Sequence, residues 1–242
     1  SNIVDKEITL GDYLIKNKLS KEFINYHIIP MVSAIWSMPP YAANNMPLQF
    51  FLKFFQTHGL FKLSNRPQWY TVSKRSRTYV RTIISKISGE HFKNYKVNKI
   101  RSKNNGVDLY YGGKSEFFDY DKVIMATHAD EALAMIENPT DEEKEILSNF
   151  SYKENLAYIH TDETVMPKNK KAWCSWNSSI KKNEIEKNSI TYWLNLLQNL
   201  GCEENIFLTL NPYFEIEESK ILKKVKFTHP YFDQSALNYQ SR

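Results

Sequence analysis

The pattern predicts an α+β chain: a mixed β-sheet with flanking helices, accompanied by a smaller β-rich unit. Three observations carry this. The first sixty residues read as helical, residues 95–126 break into short strands separated by turn signals, and about five strand-like runs follow residue 150.

The helical region is marked by its caps. Thr9 with Asp12 has the spacing of a capping box for a helix over 10–18, and Ser20 caps the next one from Lys21. Pro30 should kink or restart that helix before "MVSAIWS", and "MPP" at 38–40 must break it. Pro47 suits a first helical position and Gly59 a C-terminal cap. Between them Leu48, Phe51, Leu52 and Phe55 recur at i, i+3, i+4 and i+7, the spacing of a buried helix face. A strand is expected at "QWYTVS" (68–73). A helix capped by Ser76 follows, with Tyr79, Val80, Ile83, Ile84 and Ile87 facing inward and Gly89 ending it.

Asn105-Gly106 between alternating runs is a hairpin signal, and Gly112-Gly113 reads as a second turn. The run "KVIMAT" (122–127) is short and continuously apolar, so it is expected to be a strand buried on both faces. A helix is expected over 130–136. Thr140 with Glu143 forms another capping box. Strands are then expected at 155–161, 171–176, 190–195, 205–211 and 222–229, and the polar stretch 177–189 reads as a disordered loop.

Composition excludes several classes. An excess of 32 basic over 27 acidic residues is small and scattered, with one local cluster at Lys74, Arg75 and Arg77, so no nucleic-acid stripe is expected. No apolar run approaches the length of a membrane span and no signal peptide is visible. Two cysteines make no disulfide framework and point to a reducing, cytoplasmic setting. Histidines and cysteines show no metal spacing, and no dinucleotide fingerprint, nucleophile elbow or zinc-protease motif occurs; "YGGKSE" imitates a phosphate loop, but Asp108 stands where its first glycine belongs. Nothing specifies an oligomeric state.

Aromatic residues beside polar ones offer a substrate pocket. Trp36 with Ser37, Trp69, Trp173, Trp176 and Trp193 suit a mostly apolar cavity with a few orienting groups, and tryptophan packs equally well in any core that satisfies its N–H. His128 follows the apolar run 122–127, at the kind of strand end where α/β folds place ligands, and it can equally begin the next helix.

Several stretches, "PMVSAIWSMPP", "FFQTHGLFKLSNRPQWYTV", "KVIMATHADEALAMIENPTDEEKEIL" and "THPYFD", resemble in order those of bacterial NAD/FAD-binding proteins of the flavin-containing amine oxidase superfamily, with protoporphyrinogen oxidase and phytoene desaturase as more distant relatives. The resemblance implies an FAD-dependent oxidoreductase that oxidises, desaturates or isomerises a small apolar, lipid-like substrate by hydride transfer to the flavin. It divides the chain into a helical part of the substrate domain (1–66), a partial FAD-binding domain (67–137) and the amine-oxidase-like substrate sheet with a C-terminal tail (138–242). The fingerprint glycines would precede residue 1 and a last FAD segment would follow "HPYFD", which makes this the central portion of such an enzyme; the Ser1-Asn2 start resembles a tag-cleavage scar. Lys74-Arg75 stands where the family has a glycine pair. Carried over by position, Val97, Ala126, Thr127 and His128 would border the cofactor. Without the glycine-rich cradle, the alternative is a non-catalytic small-molecule-binding domain that does not hold FAD by itself.

Overall fold

A computed structural model describes residues 8–112, 117–181 and 184–240. In chain order the elements are α1 (Leu10–Lys16), α2 (Lys21–Phe23), a π-helical turn (Ile24–Ile28), α3 (Ile29–Trp36), α4 (Pro40–Asn44), α5 (Leu48–Thr57), α6 (Ser76–Ile84), β1 (Val97–Lys103), β2 (Gly106–Tyr111), β3 (Phe117–Tyr120), α7 (Ala129–Met135), α8 (Asp141–Ser148), β4 (Tyr152–His160), β5 (Trp176–Lys181), β6 (Glu184–Trp193), α9 (Leu194–Gln198), β7 (Phe207–Leu210), β8 (Ile221–Pro230) and α10 (Gln234–Tyr239). Helices accompany a five-stranded sheet and a second, three-stranded sheet, so the expected α+β class is the one observed. The chain divides into two compact units. The larger contains residues 1–71 and 153–234, the smaller 72–152 and 235–242.

In the larger unit the strand order is β5-β6-β7-β4-β8, and the pairings β5·β6, β6·β7 and β7·β4 are antiparallel. Its apolar core lies among the helices. Leu10 and Leu14 of α1, Ile29 and Val32 of α3, and Leu48, Phe51 and Phe55 of α5 are all buried together. Each such side chain is worth about 1.5–3 kcal/mol relative to exposure. The local signals agree with this. The Thr9–Asp12 box forms in both directions, Ser20 accepts the Phe23 N–H, and Pro30 sits in the first turn of α3 directly after the π turn. Ser37 takes a left-handed conformation that ends α3, and Gly59 (φ 65°) follows α5.

In the smaller unit β1-β2-β3 form an antiparallel sheet, with Lys103 opposite Gly106 at the Asn105-Gly106 turn. Helix α7 is tied to the sheet by Glu137 N–H donating to Ile100 O (2.8 Å) and by a parallel bridge between Ile100 and Ile136. The Thr140–Glu143 capping box is complete.

Several expectations are corrected. Residues 122–127 are irregular and belong to no ladder, and Ile124 is 94% exposed. A continuous apolar run shows what a segment can bury; burial also needs an opposing surface, and none of the described strands pairs with it. Residues 68–73 are likewise irregular and exposed rather than a strand. Helix α6 forms, but Arg75, not Ser76, is its N-cap, and Tyr79, Val80, Ile83, Ile84 and Ile87 lie exposed. It ends at Ile84, before Gly89. Of the polar stretch read as disordered, 177–181 belong to β5 and 184–189 to β6, paired in register such as Ser178↔Ile190 and Ser179↔Ser189, while 182–183 lie outside the described residues. The strand expected at 171–176 begins only at Trp176; Lys170–Ala172 is a 3₁₀ turn. Residues 1–2 and Gly113 of the expected second turn lie outside the described residues.

Candidate functional site

The described residues form one groove in the smaller unit and two concave surfaces in the larger, one of them at the α3–α4 corner and the other around Asp162 and Glu217. The groove of the smaller unit encloses about 660 Å³ between β1, β2, the irregular segment 123–127 and α7. Val97, Ile100 and Leu109 form its sheet wall, Val123, Met125, Ala126 and Thr127 its open wall, and Ala134 and Met135 its helical wall. Alternation along β1 explains the first wall, because Val97 and Ile100 straddle a register shift between Val97 and Lys99 that brings both to one side. Val97, Ala126 and Thr127, named from the sequence, thus come together. His128 does not line the groove. It is the N-cap residue of α7, and its ring stacks on Tyr152 at 4.3 Å, while the Tyr152 hydroxyl accepts the Ala129 N–H at 2.7 Å.

The sheet beneath the groove is pinned by charge. Asp108 is 2% exposed and meets both Arg101 and Lys103 at 2.8 Å. These hydrogen bonds, Lys103's first, hold its carboxyl below the usual carboxylate range.

The cleft of the larger unit holds about 440 Å³ where the α3–α4 corner faces the sheet. Ser33, Ser37, Met38, Pro39, Pro40 and Tyr41 come from the corner; Lys153, Lys187, Asn188, Ile190, Leu210 and Tyr213 are among the residues that oppose them. Ser37 is the one sequence-named pocket residue on its lining. The five tryptophans are dispersed. Trp36 packs on Phe50 and Phe54, and Trp69 is exposed near His58. Trp173 and Trp193 meet edge-to-face at 5.3 Å with Phe207 beside them, and their indole N–H groups donate to Pro167 O and to the Asn205 side chain. Trp176 packs against Tyr192, whose hydroxyl donates to Ala34 O. Burial raises the Tyr192 pKa, which keeps that phenol protonated.

Beside the Trp173–Trp193 cluster lies a buried polar chain that sequence reading missed. His160 is fully buried; its Nδ1 accepts the Asp162 N–H at 3.1 Å, so Nε2–H donates to Thr209 Oγ1 at 2.8 Å, and Thr209 meets Thr191 at 2.9 Å. Burial lowers the His160 pKa and favours the neutral ring. Every link is satisfied, so this chain organises the sheet rather than a ligand. Ser33, Asn188 and Tyr213 of the cleft were missed too. Ser33 carried a signal, a hydroxyl between Val32 and Ala34 inside an apolar helix; Asn188 lay in the stretch read as a loop.

The chain shares its fold with two known structures. The first is a fatty acid isomerase from P. acnes that produces CLA, matched over 99% of this chain and 59% of that one at 12% identity with a TM-score of 0.61. The second is a candidate protoporphyrinogen oxidase from Exiguobacterium sp. 255-15, matched over 100% of this chain and 60% of that one at 11% identity with a TM-score of 0.60. The chain therefore spans about three fifths of the length of either. No family model and no curated protein matches it.

The groove can be tested for the flavin that the motifs imply. Its walls are apolar and Ala126 is small, which suits a flat ring system. A diphosphate needs converging backbone N–H groups or cations, and the described lining offers Lys96 but no glycine. The residues fit one end of such a cofactor and not its phosphates. Among the described residues no group of His, Cys, Asp and Glu is arranged to hold a metal, and no helix is long and apolar enough to cross a membrane.

Proposed function

We propose that this chain is the central part of an FAD-dependent, amine-oxidase-like oxidoreductase acting on a small apolar, lipid-like substrate. The observation that carries the reading is the fold match along the whole chain to an isomerase of fatty acids and to a candidate protoporphyrinogen oxidase, the latter a relative that the motifs had implied. In this reading residues 67–137 supply part of the cofactor domain, Val97, Ala126 and Thr127 wall one end of the flavin nucleotide, and His128 orients the start of α7. A bound flavin supplies the electron sink, and the protein positions it. The exposed apolar face of α6 is then surface that further cofactor domain would cover.

One observation favours a second reading, a non-catalytic small-molecule-binding domain that does not hold FAD by itself: the described lining of the groove has no phosphate cradle. Titrating FAD by calorimetry and visible spectroscopy into the purified chain and into a longer protein that adds a glycine-rich βαβ segment separates the two. The expected outcome is weak or no binding by the chain alone, and stoichiometric binding once a segment carrying a glycine-rich βαβ unit is supplied. Absence of binding in that longer protein would remove the flavin reading.

A further inference from the structure

We infer that the cleft of the larger unit binds a small amphipathic carboxylate, a charged head on a short apolar tail. The inference starts from two donors with nothing to bond. Ser33 is 2% exposed and its Oγ has no partner among the described residues; the Asn188 side chain donor Nδ2 is likewise buried and unpartnered among them. Both residues line the same cleft. The Asn188 amide is already oriented, because its Oδ1 accepts the Ser178 hydroxyl at 3.0 Å, so what remains to be satisfied is an N–H donor. A buried donor left unpaired costs about 1–3 kcal/mol, and a ligand that accepts from it removes that cost.

Charge decides what kind of acceptor. Two lysines line the cleft, Lys153 and Lys187, against one acid, Glu154. Glu154 pairs with Lys226 at 2.6 Å, outside the lining, and Lys187 pairs with Glu184. Lys153 has no carboxylate partner among the described residues and lies 5.7 Å from the Tyr231 ring. An anion is the acceptor that a spare ammonium and two spare donors would share. The remaining wall is apolar: Met38, Pro39, Pro40, Ile190 and Leu210. At roughly 30 Å³ per water-sized group, the volume admits on the order of fifteen non-hydrogen atoms. Water alone could satisfy the donors, but it would use neither the spare charge nor the apolar wall.

Every residue used belongs to the larger unit, so the inference stands whether or not the chain holds flavin. The test is calorimetric titration of the full chain with octanoate, 1-octanol and acetate, repeated for Lys153→Met and Asn188→Asp. Lys153 is exposed, so its replacement leaves folding intact, and Asn188→Asp keeps the acceptor for Ser178 while replacing the donor with negative charge. Octanoate is expected to bind one to one, with both octanol and acetate weaker, and each substitution should weaken octanoate by about tenfold or more while leaving octanol unchanged. Equal binding of octanoate and octanol, octanoate affinity unmoved by both substitutions, or no octanoate binding at millimolar concentration would overturn the assignment.

Discussion

At the scale of single residues, Arg75 is the clearest departure from what its chemistry prefers. With φ 69° and ψ −176° it occupies a region that is almost the preserve of glycine, and Lys74 before it is also left-handed (φ 60°). The backbone thus keeps the shape that a glycine pair would adopt, although two long side chains stand there. Arg75→Gly is expected to stabilise the smaller unit by about 1–3 kcal/mol in denaturant unfolding, and an unchanged midpoint would show that the strain is not present in solution. Asp108 provides a second test. Its folded-state pKa is depressed by Lys103 and Arg101, so its contribution is present above the ordinary carboxylate pKa of about 4 and is lost as pH falls through the depressed value. Asp108→Asn should lower stability at neutral pH and flatten the acid limb of a plot of unfolding midpoint against pH; an identical acid limb would show that other carboxylates dominate it.

At the scale of elements, the hairpin turn is the most exposed to a small change. Gly106 has φ 123°, and a Cβ there would lie 2.6 Å from Tyr120 O, a backbone atom that cannot swing away. Gly106→Ala should therefore destabilise the three-stranded sheet by more than about 1 kcal/mol, measured by hydrogen exchange of its strand amides. That turn was legible in the sequence, as were both capping boxes and the buried face of α5, because each is decided by neighbours a few residues apart. Val97, Ala126 and Thr127 were named only through the family resemblance, position by position, because no local pattern marks them as the walls of a groove. The strandless state of 122–127 was not, because strand pairing is decided by distant chain. Nor was the pairing of β5 with β6, since the stretch 177–189 is mostly polar and its strands are fixed by register with each other and, for β6, with the distant β7. The cleft escaped because Ser33 and Asn188 lie 155 positions apart.

At the scale of the molecule, apolar surface is distributed unequally between the units. Phe51 is buried in the helical core, whereas Ile83 on α6 is more than half exposed. Phe51→Ala should cost about 3–5 kcal/mol in denaturant unfolding, and Ile83→Lys no more than about 0.5. A large cost for Ile83→Lys would mean that this face is covered in solution. The five-stranded sheet is bounded differently. One margin, β5, carries Asn177, Ser178, Ser179 and Lys181 beside Trp176 and Ile180, and the other, β8, carries Lys223, Lys224 and Lys226 beside Leu222 and Phe227. Lysine-bearing and polar margins discourage a stray strand from annealing there. Crowded solutions and slow refolding, which drive sheets to grow by recruiting neighbours, should therefore leave this one at its native width, and any self-association of the chain should begin on the isoleucine-rich helix.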